Sequence, residues 1–79
     1  MTLSQALSVL SAQALTSHER CVLNHATHTL NNTGRVSMAH LSELLTMTER
    51  LMFDTNGQQP AILDMTYLFA EQKGTLINA

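Results

Sequence analysis

The sequence predicts an all-α protein: a small bundle of three to four short helices, with a helical-hairpin core and an N-terminal arm. Three observations predict it. Apolar residues recur at helical spacing in four separate segments, and no stretch alternates with period two. Aromatic residues make up only 4% of the chain, so strand-favouring side chains are scarce. The segments are bounded by Ser, Thr, Asn, Gly and Pro at positions where helix caps belong.

Segment one runs from about Ser4 to Leu15. Leu3, Leu7, Leu10 and Ala14 are spaced four, three and four, the a/d pattern of a narrow helical seam, with Ser4, Gln5, Ser8 and Ser11 opposite. This N-terminal arm, residues 1–15, could pack on its own domain or on a partner's. Segment two begins with a capping box of Thr16 and Glu19, and buries Val22, Leu23, Ala26 and Leu30. Gly34 closes it in the left-handed conformation. Segment three follows Ser37 as N-cap and runs to about Phe53. Its stripe of Leu41, Leu44, Leu45, Thr48, Leu51 and Met52 is the strongest periodic signal in the chain. The run Asp54-Thr55-Asn56-Gly57 stops it. Segment four starts at Pro60, whose missing N–H is unpaired at a first helical position anyway, and buries Ile62, Met65, Leu68 and Phe69. Lys73 falls in its expected last turn, Gly74 is expected to close it, and residues 75–79 read as a tail. Short connections favour antiparallel neighbours within a core spanning residues 16–74.

At 79 residues the chain forms one helical domain with a thin core, so self-association is the expected staple. Cys21 is the only cysteine, which excludes an internal disulfide and suggests a reducing, cytoplasmic setting. Apolar residues reach 44% while charged residues reach only 13%, so uncharged polar side chains cover much of the surface. Such a surface desolvates cheaply, which suits protein–protein contact. The formal charge is -2, and Arg20, Arg35, Arg50 and Lys73 are scattered, which argues against nucleic acid. No apolar run approaches the roughly 20 residues of a membrane span. Ala12-Gln13-Ala14 has the look of a cleavage site, but residues 1–11 carry no Lys or Arg and are interrupted by Ser and Gln, unlike a signal peptide.

Four side-chain groups raise functional questions. His18, Cys21, His25 and His28 fall within about 80° of arc on segment two, at roughly 100° per residue. His and Cys at such spacing can ligate zinc or copper, but a site needs ligands from a second element, and His40 is the only other histidine. The face is therefore read as polar, with no metal or other cofactor, although histidines on one face also suit a pH-sensitive contact. Cys21 beside His25 lacks the orienting third group and cleft of a thiolate nucleophile. With no nucleophile elbow, phosphate loop or metalloprotease motif, the chain is not expected to be an enzyme and takes no small-molecule substrate. Met38 and Met47 fall off the main stripe of segment three. With Leu3, Leu7 and Leu10 they are the candidate partner or dimer interface. Gly34-Arg35-Val36-Ser37 ahead of Leu41–Leu45 has the form of an entry to a helix-turn-helix, but no breaker follows before Phe53 and only Arg50 is basic there, so DNA reading is disfavoured.

From Glu19 onward the chain resembles the YmgB/AriR family of small enterobacterial regulators, whose relatives include YcgZ and YmgA. The resemblance rests on Glu19, Val22-Leu23, Ala26 and Leu30, then Gly34-Arg35 and Ser37. It continues through Leu41, Leu44-Leu45, Glu49 and the closing Leu68-Phe69, and covers about 50 of the 79 residues. It implies a helical homodimer that connects regulatory proteins in biofilm, acid-stress or phosphorelay control. A DNA-binding role proposed in that family sits badly with the few basic residues here. The expected function is thus a non-enzymatic regulator whose partners are itself and another regulatory protein. A helical secretion-type chaperone and a phage- or plasmid-type inhibitor of a larger complex are the alternatives.

Overall fold

The computed structural model describes residues 1–78, Asn78 by its backbone alone. Four helices follow one another: α1 (Leu3–Ser11), α2 (Ser17–Thr33), α3 (Met38–Asp54) and α4 (Pro60–Asn78). Among the described residues there is no strand.

Local chemistry sets the boundaries. Thr2 accepts from the Gln5 backbone N–H while the Gln5 side chain accepts from the Thr2 N–H, a capping box that starts α1. Thr16 and Glu19 form the same arrangement at the start of α2. Gly34 ends α2 at φ +74°, donating its N–H to Leu30 O at 2.8 Å. Ser37 then caps α3 by accepting from the His40 N–H. Val36 and Leu41, just before and inside this cap, hold the positions of a hydrophobic staple, and both are buried. Asn56 and Gly57 both take positive φ after α3, and the Gly57 N–H reaches back to Met52 O. Pro60 opens α4 as its first residue.

The helices pack in a ring. α3 lies most extensively on α4, α2 on α3, and α1 bridges α2 and α4. One core runs through all four. Val22, Leu23, Ala26, Leu41, Leu44, Leu51, Ile62, Met65 and Phe69 are buried in it, with Leu30, Leu45, Met52 and Leu68 half-buried at its margin. Ala6, Val36 and Thr48 join them. The Thr48 hydroxyl donates to Leu45 O, so this polar group costs little where it lies.

Two expectations are corrected here. Segment one packs on its own domain, one of the two placements expected of the arm, burying Ala6, Leu7 and Leu10 in the core, and its helix ends at Ser11 rather than near Leu15. A chain this short has little apolar surface to spare, and α1 packs on both α2 and α4. Gly74 does not close α4 either. The helix passes through it, so residues 75–78 are helical rather than a tail, and Lys73 is not in the last turn. Glycine costs a helix interior about 1 kcal/mol relative to alanine, and α4 carries that cost at Gly74. Leu76 lines a hollow with Leu3, Val36 and Leu41, and the Thr75 hydroxyl donates to Glu71 O. Ala79, the end of the expected tail, lies outside the described residues.

Candidate partner-binding surface

The connection between α1 and α2 is tied by two arginines. Arg20 donates to Ser11 O and Gln13 O, carbonyls left over at the end of α1. Arg50 of α3 forks onto Glu19 of α2, with Nε to Oε2 at 3.0 Å and Nη2 to Oε1 at 2.9 Å. The same guanidinium donates to Asp54 and to Ala14 O. Glu19 thus caps its own helix and anchors α3 at once. Burial pushes its carboxyl up, but the Thr16 N–H and the Arg50 guanidinium outweigh this and hold it below the ordinary carboxylate range. Arg50 in turn is raised, chiefly by its hydrogen bond to Glu19. These two arginines serve the fold, leaving Arg35 and Lys73 as the other basic side chains.

The histidine face of α2 is open. His18, Cys21, His25 and His28 are all exposed, and among the described residues no three His, Cys, Asp or Glu side chains stand where they could hold a metal ion. His25 meets His40 of α3 edge-on, with ring centroids 6.3 Å apart. His40 Nδ1 is buried without a hydrogen-bond partner. His28 Nε2 lies 2.8 Å from Asn32 Nδ2. His18 stands apart, at a groove of about 300 Å³ between α2 and α3 that is floored by Val22 and Met47. The three histidines that share an arc in sequence therefore face different neighbours, and Cys21 is exposed as a free thiol.

The interface expected from sequence is largely consumed by the fold. Leu7 and Leu10 are buried, Leu3 packs half-buried against the core, and Met47 is only 3% exposed. Leu7, Leu10 and Met47 offer almost no free surface, because they fill the inside of the ring, while Leu3 keeps part of its own. Met38 is half-buried beside Thr29, Val36 and Leu76.

A different apolar face is left open, on the outside of α4. Leu63, Tyr67, Ala70, Gly74 and Ile77 are spaced four, three, four and three, and fall within about 80° of arc at roughly 100° per residue. Leu63 is 40% exposed, Tyr67 68% and Ile77 67%. The buried stripe of Ile62, Met65 and Phe69 lies roughly 130° round the same helix by that spacing. Beside the open stripe, Asp64, Tyr67, Leu68, Glu71 and Met1 line a shallow cleft of about 330 Å³. Phe53, 83% exposed at the end of α3, is a further uncovered aromatic. The signal for the second α4 stripe was present in the residue spacing. It is masked by the stronger inner stripe and by Gly74, which looks like a helix end. No protein-family model, curated protein or solved structure matches this chain. No helix in the described residues is long and apolar enough to cross a membrane.

Proposed function

We propose that this chain is a non-enzymatic regulatory protein that acts by binding another protein chain, in the manner of the biofilm, acid-stress and phosphorelay connectors it resembles. The observation that supports this reading is the open apolar stripe on α4. A chain of 79 residues with a thin core leaves Leu63, Tyr67 and Ile77 uncovered on one helix face, where burial would otherwise stabilise it. Self-association belongs to the same proposal, with itself and a second regulatory protein as partners in a cytoplasmic setting. Because Leu7, Leu10 and Met47 lie in the core, a homodimer has to use residues the fold leaves exposed, Phe53 among them.

A photo-reactive residue placed at position 67 tests the reading in cells, against the same residue at exposed Asn24 on α2. The expected result is a discrete protein adduct at position 67 and none at position 24. Equal labelling at both positions, or none at either, sinks the proposal. Light scattering tests the second part: a homodimer has twice the 8.7 kDa chain mass, and a monomer across the accessible concentration range removes self-association from the account.

A further inference from the structure

We infer that the outer face of α4 receives one helix of another protein, an amphipathic helix whose apolar stripe is flanked by lysine or arginine. The inference rests on the protein-binding reading above and gives the partner its chemistry.

Shape limits the occupant first. The stripe from Leu63 to Ile77 is about 21 Å long at 1.5 Å per residue and one seam wide. Its four-three spacing is that of a helix-on-helix contact, where side chains of one helix fill the gaps of another. Gly74 adds a second constraint. A Cβ at this position would meet nothing within 4 Å, and the residue neither ends the helix nor needs a positive φ. Nothing inside the chain therefore calls for glycine there, although it weakens α4. Together with Ala70, one turn earlier, it clears a path for a backbone to approach closely from outside.

Charge then selects between partners. Asp64 and Glu71 stand on one flank of the stripe, both exposed, and neither forms an ion pair among the described residues. Lys73 stands on the other flank, half-buried. A second copy docked antiparallel would set Asp64 against the other copy's Glu71. A parallel copy would set Glu71 against the other copy's Thr66. Neither arrangement gives the carboxylates a cation, whereas a helix with Lys or Arg on the flank that meets Asp64 and Glu71 gives both of them one, away from Lys73.

The test uses the full chain and two synthetic 20-residue peptides that share a Leu/Ala seam and lack Tyr and Trp. One carries Lys on the flank that meets Asp64 and Glu71, the other carries Glu there, and both are uncharged on the flank that meets Lys73. Tyr67 is the only tyrosine and the chain has no tryptophan, so its intrinsic emission reports directly from the stripe. The expected result is saturable change in that emission with the Lys peptide, at least tenfold tighter than with the Glu peptide and weakened by salt. The double variant Asp64→Lys/Glu71→Lys, followed by calorimetry, should reverse the preference while the helical circular dichroism holds. Equal affinities for both peptides overturn the basic partner but leave the protein-binding reading standing, since position 67 would still cross-link. No response to either peptide overturns the inference. So does a Tyr67→Ser chain that falls from dimer to monomer mass, which assigns the face to a second copy.

Discussion

Two seams in this molecule share one spacing and meet opposite fates. Leu3, Leu7, Leu10 and Ala14 step by four, three and four, and so do Leu63, Tyr67, Ala70 and Gly74. The first is folded inward at Leu7 and Leu10, both buried, while Ala14 falls beyond the end of α1 and is exposed. The second lies open, with Tyr67 two-thirds exposed. Periodicity reports that a helix has an apolar face, not what covers it. Coverage depends on which neighbours have free sides. α1 contacts both α2 and α4, while the outer face of α4 leaves Leu63, Tyr67 and Ile77 exposed.

The contrast is broken most forcefully at Leu10. If the α1 seam met a partner, Leu10→Asp would leave a folded monomer. Buried as it is, the charge is expected to cost about 4 kcal/mol or more. The whole chain holds roughly 4–12 kcal/mol by size, so the variant loses a third or more of its stability and should melt far below wild type by circular dichroism. A cooperative melt close to wild type would show that α1 is dispensable to the core.

Next in size is the tie that holds α1 and α2 in place. Arg50→Ala removes a forked bond to Glu19 and the bond to Ala14 O, and should cost about 1–2 kcal/mol in urea unfolding. Acid should mimic it. Glu19 titrates below the ordinary carboxylate range in the folded chain, so its contribution is complete above that range. The contribution then disappears as pH falls through the lower folded-state value. Glu19→Gln is expected to flatten this part of the pH–stability profile, and a profile that superimposes on wild type would remove Glu19 from the explanation.

The second seam responds with smaller effects on stability and larger ones on binding. Gly74→Ala adds a methyl into open space on a helix and should stabilise the chain by about 0.5–1 kcal/mol. On the docking inference the same methyl weakens uptake of the Lys-flanked peptide. A raised melting temperature with unchanged peptide affinity would separate Gly74 from the site. Tyr67→Asp, the counterpart of Leu10→Asp, should change unfolding free energy by no more than about 0.5 kcal/mol, because the side chain is exposed. A loss as large as that at Leu10 would mean that the outer face of α4 is covered in the folded chain.

Much of the architecture is legible in residue order. Thr16 with Glu19, Gly34, Ser37 and Pro60 mark their helix ends through bonds made within a few residues, so local chemistry suffices to read them. The stripes of α2, α3 and the inner face of α4 announce the core for the same reason. The misreadings share a cause. Gly74 looks terminal because glycine is intrinsically poor in helices, yet α4 continues through it to Asn78, where Leu76 borders a hollow with Leu3 and Val36, far away in sequence. Arg50 looks like a lone cation because its partners at Glu19 and Ala14 lie 31 and 36 residues away. Met47 looks peripheral by phase but falls under α2, beside Val22.

The sequence by itself therefore determined the helices, their caps and the residues with an apolar side, because these depend on contacts within one or two turns. Only the tertiary structure decided which apolar sides face each other. It turned the α1 seam inward, used Arg20 and Arg50 as internal ties, and left Leu63, Tyr67 and Ile77 on the outside. The physical reason is that burial belongs to pairs of surfaces: a stripe is buried when another element covers it, and among the described residues Leu63, Tyr67 and Ile77 stay exposed.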